Sequence, residues 1–220
     1  MTAQAQLTAV AFYRDPQAAL DWLSAAFGFE TAVLLTDAEG RLAHAEMELC
    51  GVKLGIAGEW EGGVLGPARM RSPGGLGEQG TQFCRIELPL QIDIDQHCDR
   101  ARLAGAQITQ DEFYGDRTYR CLDLEGHVWN FSQPRRTVSP AEITAATGLI
   151  YAVGGESRPS AEAARSPVTP YVSYRDPKAA YAWLETAFGL EPKIYVTDDG
   201  GGLVHAEMSF RGQKIGRAHV

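Results

Sequence analysis

From Leu7 to Tyr13 the chain is apolar and β-prone. At Asp15-Pro16 the period changes: an N-cap acceptor is followed by proline at the first helical position. Leu20, Leu23 and Phe27 then recur at helical spacing with Trp22 and Ala26 beside them, and Gly28 supplies a left-handed stop. Beyond it the pattern predicts a strand over Thr31–Thr36, a turn at residues 37–40, a strand over Leu42–Leu49 and, past Gly51, a third over Val52–Ala57. The unit reads β-α-β-β-β. A weaker copy follows: strand Phe83–Leu88, helix Asp95–Leu103 stopped by Gly105, then strands Gln107–Phe113, Thr118–Leu124 and His127–Ser132.

A third copy is much closer to the first. Residues 13–57 align with 174–218 without a gap, and 24 of the 45 positions are identical. YRDPQAALDWLSAAFG returns as YRDPKAAYAWLETAFG, and HAEMELCGVKLG as HAEMSFRGQKIG. So long a period excludes a solenoid and points to duplication of a whole domain. The organisation expected is a two-module domain over 1–133, a short helix and linker over 134–167, and a single module over 168–220. The helix in that linker starts on a capping box at Ser139-Pro140-Ala141-Glu142. Between the first two modules, Gly58–Gly80 holds ten glycines and prolines, a loop of the length that often carries function.

Composition narrows the classes. At 45% hydrophobic and 22% charged, the 220 residues suit a folded globular protein and not a disordered tail. Twenty Lys+Arg against 28 Asp+Glu give a net charge of −8 with no basic patch, so no nucleic-acid partner is expected. No apolar run approaches the ~20 residues that span a bilayer, and the first ten residues lack a secretion signal, so no membrane partner is expected either. Cys50, Cys84, Cys98 and Cys121 show no CxxC spacing or disulfide framework, which fits a cytoplasmic location. The buried-thiol reading of Cys121 prevails, because its neighbours Arg120 and Asp123 offer no base.

Paired β-α-β-β-β modules, together with FYRDPQAALDWLSAAFGFE, HAEMELCGVKLGIAG and YGDRTYRCLDLEGHVWNFSQ, resemble the vicinal oxygen chelate superfamily, in its glyoxalase/bleomycin-resistance branch. The resemblance implies an α+β fold in which two modules form an incomplete barrel around a small ligand, here with one extra unpaired C-terminal module. It also implies where a divalent metal would be held: near Thr8, at Gly55, at Asn130 and around Gln82–Cys84. Thr8 and Gly55 are not ligands of the usual kind and Asn130 is a poor one, so no metal cofactor is expected. A divalent metal is the alternative.

Candidate ligand-binding residues follow from strand alternation. His44, Glu46 and Glu48 share one face of their strand, opposite Ala45, Met47 and Leu49. His44 and Glu46 are either a metal or acid–base pair, or a polar wall. Matching Gly51 to Gly126 places Tyr119, Cys121 and Asp123 on the same inner face, with Lys53 and Asn130 on the last strands. Val52, Leu54, Ile56, Trp129 and Phe131 then face the helices. Trp60 either closes over a planar ligand or anchors its loop; Arg117 either reaches an anionic ligand or pairs with an aspartate to hold the turn. His97 and His127 are expected at the surface.

The leading expectation is metal-independent binding or sequestration of a small, hydrophobic molecule. A metal-dependent lyase or isomerase of glyoxalase type is one alternative, and a regulatory or assembly module with a vestigial cavity is another. The unpaired third module leaves apolar surface that must be buried. Pairing of two chains through it, giving a homodimer, is the expectation; a chain that ends inside its second domain is the alternative.

Overall fold

The computed structural model describes residues 8–62, 69–77, 81–153, 167–211 and 213–216. It divides into two compact units, Thr8–Pro134 and Arg135–Val220.

In the first unit, module one runs β1 (Ala9–Tyr13), α1 (Pro16–Phe27), β2 (Glu30–Thr36), β3 (Leu42–Leu49) and β4 (Val52–Gly58). Its sheet has the order β1-β4-β3-β2, with β1 parallel to β4 and the rest antiparallel. Helix α1 begins where the sequence says it should: the Asp15 carboxylate accepts from the Ala18 amide at 3.0 Å. It ends at Gly28, whose φ of +83° is left-handed. A second constraint acts there, since a Cβ on Gly28 would lie 2.8 Å from an Arg100 nitrogen.

The intervening loop is more structured than its composition suggests. A small hairpin, β5 (Trp60–Glu61) with β6 (Arg69–Met70), precedes a single helical turn, α2 (Pro73–Leu76). Module two follows as β7 (Thr81–Glu87), α3 (Ile94–Leu103), β8 (Gln107–Tyr114), β9 (Asp116–Leu122) and β10 (His127–Pro134). Its strands take the order β7-β10-β9-β8, the same plan as module one. The sheets do not close into a barrel.

The two modules are joined through their helices and a shared core. Phe27 and Phe29 of module one meet Trp129 and Phe131 of module two, with ring centroids 4.7–5.9 Å apart, and all four side chains are fully buried. Each such ring removed from water contributes roughly 1.5–3 kcal/mol. Capping between α1 and α3 is reciprocal. Trp22 Nε1 donates to the Ala104 carbonyl at the end of α3 (2.8 Å), while Arg100 donates to the Ser24 and Ala25 carbonyls at the end of α1. Each helix thus fills carbonyls that the other leaves open.

His97 is buried within this junction, contrary to the surface position expected for it. Its Nε2 donates to the Phe27 carbonyl (2.9 Å), so its Nδ1 accepts from the Tyr119 hydroxyl (2.5 Å). The reason is the pitch of α3: Ile94, His97, Cys98 and Ala101 form its inner face. His127 is buried too, for a reason taken up with the site.

The second unit contains α4 (Pro140–Thr147), β11 (Ile150–Val153), β12 (Val168–Pro170), α5 (Pro177–Phe188), β13 (Glu191–Thr197), β14 (Leu203–Phe210) and β15 (Gln213–Gly216). The capping box at Ser139 forms as read, with Glu142 accepting from the Ser139 amide. Strand β11 was not visible in the linker composition; it pairs antiparallel with β13, in a sheet ordered β11-β13-β14-β15. Tyr171 bridges to Gly216 in parallel, at the positions that match Val10 and Gly55 of module one. Among the described residues, no helix is long and apolar enough to cross a membrane.

Burial lowers the His97 pKa from 6.5 to about 4. Between those values the unfolded chain holds a proton that the folded chain does not. The histidine's contribution is therefore complete above about pH 6.5 and falls as pH drops toward 4, by a total on the order of 3 kcal/mol. Urea midpoints taken across this range should decline for the wild type and stay flatter for His97→Gln. Equal slopes for the two proteins would refute the assignment.

Candidate functional site

Strand pairing decides which side chains share the open face of module one, the face away from α1. Two rows cross it. One is Leu35–His44–Ala57–Phe12 and the other Val33–Glu46–Gly55–Val10, each read across β2, β3, β4 and β1. Glu48 stands opposite Lys53 one step further along. The floor is apolar at its centre, where Gly55 carries no side chain. A Cβ there would lie 2.9 Å from Val10 Cγ2 and 3.3 Å from His44 Cε1, so these two groups already occupy the space above the glycine.

His44, Glu46 and Glu48 are half-buried and Lys53 is exposed. Among the described residues, none of the four side chains forms a hydrogen bond or ion pair. Around them Val10, Val33 and Leu35 remain exposed, Leu35 by 54%. The result is an open, largely apolar surface carrying uncommitted donors and acceptors.

Module two differs, and the difference corrects the expected register. In module one, β3 and β4 are joined by the two residues Cys50 and Gly51, both at positive φ. In module two, the closing pair Leu122–Val128 leaves the five residues 123–127 in the turn. An even loop has become an odd one, and a shift of one position turns every side chain of β9 over. Tyr119 therefore pairs with Phe131 and Cys121 with Trp129, so Tyr119 and Cys121 are buried on the helix face and not on the open one. Burial pushes the Cys84 and Cys121 thiols well up, which disfavours the thiolate needed for nucleophilic chemistry.

Asp123 lies in the turn itself and is committed to the core. Its carboxylate accepts from Tyr13 Oη (2.6 Å), Trp129 Nε1 (3.0 Å) and His127 Nδ1 (3.0 Å), and from the Glu125 and His127 amides. Burial alone would raise its pKa, but these donors outweigh that and hold it below the usual carboxylate range. This ring of contacts is what draws His127 inside. Glu125 grips the start of α1 in the same way, accepting from the Arg14 and Asp15 amides and from Arg14 Nε. Ser72 Oγ lies 2.5 Å from a Glu125 oxygen and 2.8 Å from Glu59, so the loop is pinned to the same turn.

Arg117 also points to the helix side, where it pairs with Asp95 of α3 at 2.7 Å; Asp116 pairs instead with Arg85. Trp60 is half-buried in the β5–β6 hairpin. Of the expected residues in module two, Asn130 keeps its place on the open face, flanked across the strands by Arg120 and Arg85. Arg85 is engaged with Ser132 and Asp116. By contrast, Asn130 Oδ1 and Arg120 Nε are buried with no hydrogen-bond partner among the described residues. Arg120 was missed because only the flipped register brings it to this face.

The fold's implied metal does not suit these residues. At the expected ligand positions stand Thr8, Gly55 and Asn130, and the room at Gly55 is filled by Val10 and His44. Among the described residues, no three His, Cys, Asp or Glu side chains converge.

No family model matches the chain. The uncharacterized protein Mb0911c of Mycobacterium bovis is 29% identical over 136 residues, covering 60% of this chain and 85% of that protein. Among solved structures, TioX from Micromonospora sp. ML1 is 29% identical, with 60% of this chain and 99% of that one covered at a TM-score of 0.45. TnmS3, an antibiotic binding protein from Streptomyces sp. CB03234, is 17% identical and covers 61% of this chain and 99% of its own at 0.44. Residues 8–134 pair two βαβββ modules whose sheets share one strand plan, the arrangement that the resemblance to the vicinal oxygen chelate superfamily implies.

Proposed function

We propose that residues 8–134 bind a small organic molecule on the open faces of their sheets and hold it without a metal ion. The observation that carries this reading is the state of the polar groups there. Among the described residues, the side chains of His44, Glu46, Glu48 and Lys53 rise from an apolar floor without a partner, and across module two Asn130 Oδ1 and Arg120 Nε are buried and unpaired. Buried polar atoms without partners are uncommon, and a bound ligand is one of the few ways to satisfy them.

The chemistry of the two faces favours a largely apolar ligand with a donor and an acceptor at its edge. The ring or chain would lie over Val10 and Phe12. A ligand donor would meet Glu46 or Asn130 Oδ1, and a ligand acceptor would meet Arg120 Nε. The net charge of −8 weakly favours neutral or cationic molecules in approach. Sequestration or carriage of such a molecule is the function that fits, in keeping with the binding role named for TnmS3. A glyoxalase-type lyase would need a metal-ligand set that these residues do not supply.

Screening neutral and cationic planar aromatic compounds by thermal shift should find binders. At about a hundredfold excess over Kd, such a ligand stabilises the fold by ~2.7 kcal/mol. His44→Ala and Glu46→Gln should weaken the best binder by about tenfold each, the value of one lost hydrogen bond. EDTA should leave binding unchanged; loss of binding with chelator would instead establish the metal-dependent alternative. Asn130→Leu should separate stability from affinity. It removes a buried unsatisfied acceptor, so the free protein should unfold at the same urea concentration or a higher one, while ligand affinity falls. A destabilised Asn130→Leu protein would show that the amide serves the fold and not a ligand.

A further inference from the structure

The duplication supplies an internal comparison for one edge of module one. Strand β2 is the last strand of its sheet, and β13 is its counterpart in the gapless alignment of the third module. The two share more than sequence position. Each carries a register shift at its start, between Thr31 and Val33 or between Pro192 and Ile194. Each carries a second near its end, between Leu35 and Thr36 or between Val196 and Thr197. Their backbones therefore present the same kind of outer edge.

That edge is covered in one copy and open in the other. In the third module β11 lies antiparallel on β13, with Ile150, Tyr151, Ala152 and Val153 opposite Thr197, Val196, Tyr195 and Ile194. Val196 is only 6% exposed there. The matching stretch of module one is Val33–Thr36, on whose outer side no strand lies among the described residues. Leu35, the counterpart of Val196, is 54% exposed, with Leu34 at 51% and Val33 at 37%. Edge strands are commonly protected by charges, proline or bulges. Residues 33–36 hold neither a charge nor a proline, and β13 takes β11 despite carrying the same bulges.

We propose that the outer edge of β2 binds an extended segment of another polypeptide, apolar over four residues and basic on both sides, which adds antiparallel to Val33–Thr36 as β11 adds to β13. Backbone hydrogen bonds supply the attachment, and the exposed Val33, Leu34 and Leu35 supply the apolar contact. The basic flanks follow from the charges at the two ends of the strand. Glu30 stands opposite Glu48 at one end, with Lys53 a strand further in. At the other end Asp37 and Glu39 share Arg41. The same charges argue against a second copy as the occupant. Antiparallel pairing of β2 with itself keeps Val33 and Leu35 on one face in the register centred on Leu34. That register brings Glu30 of each copy alongside the Asp37–Glu39 turn of the other, and like charges opposed across strands are destabilising.

The probe is a fluorescent peptide with the sequence of residues 149–154, Leu-Ile-Tyr-Ala-Val-Gly, and two lysines at each end. Titrated with the 220-residue chain, it should give a saturable change in anisotropy. At saturation, hydrogen exchange across residues 33–36 should slow by about tenfold or more. A peptide with both Tyr151 and Ala152 replaced by proline should not bind. Neighbouring strand residues point their amides to opposite sides, so one of those two must face β2. Glutamate flanks in place of lysine should weaken binding by about tenfold at low salt, and Glu30→Lys combined with Glu39→Lys should reverse that preference. Absence of binding, equal binding of the proline peptide, or binding that leaves exchange at 33–36 unaltered overturns the proposal. So does a flank preference that the charge reversal leaves unchanged. Protection of residues 33–36 that grows with the concentration of the chain alone also overturns it, because that result assigns the edge to a second copy.

Discussion

The Asp123 carboxylate is the point on which the first unit turns. Its side chain is wholly inaccessible to water and accepts five hydrogen bonds, one of them from module one through Tyr13. A buried carboxylate costs several kcal/mol to desolvate, and losing one partner of such a group typically costs 3–5 kcal/mol (about the whole of a weak domain's margin). The bonds are therefore worth most when all are made together. They require Tyr13 at the end of β1, the five-residue turn and Trp129 on β10 to be in place at once. The aromatic cluster supplies most of the driving force for pairing the modules, because apolar area outweighs a handful of net hydrogen bonds. The carboxylate selects the arrangement in which those rings meet.

The same turn explains why module two is not a plain copy of module one. Its odd length reverses β9, which sends Tyr119 inward to His97 and brings Arg120 to the open face. One inserted register step thus does two things. It builds the polar contacts that join the helices, and it makes the two open faces chemically different. Module one offers carboxylates, an imidazole and a lysine, whereas module two offers guanidinium groups and an amide. A ligand lying on either meets a distinct pattern of donors and acceptors, which a pair of identical modules would not provide.

Module order, helix limits and the internal repeat were legible in the sequence, because each rests on local signals. Asp15-Pro16, the Gly28 stop and the Cys50-Gly51 turn act within a few residues of where they are read. The side-chain facing of β3 and β4 was legible for the same reason. What could not be read was the length of the turn at 123–127, since nothing in Asp123-Leu124-Glu125-Gly126 announces which residues close the hairpin. From that one miscount followed the placements of Tyr119, Asp123 and His127. His97 was misjudged differently: a histidine on a mostly polar helix looks solvated until the carbonyl of Phe27, 70 residues away, is brought over it.

The third module shows how little energy separates a committed open face from an available one. There Glu207 lies 3.4 Å from Lys214 and 3.7 Å from His205, while the equivalent Glu46, Lys53 and His44 of module one stand apart. The residue types and strand positions are the same, so the difference comes from their neighbours. Tyr171 lies over Gly216 where the smaller Val10 lies over Gly55, and its ring comes within 2.7 Å of the place a Cβ would take. Ion pairs that retain solvent contact are worth only about 0–1 kcal/mol. A face whose charges are held apart by the packing of its floor therefore gives up almost nothing in the free protein. It retains their full hydrogen-bonding capacity for whatever settles on the floor between them.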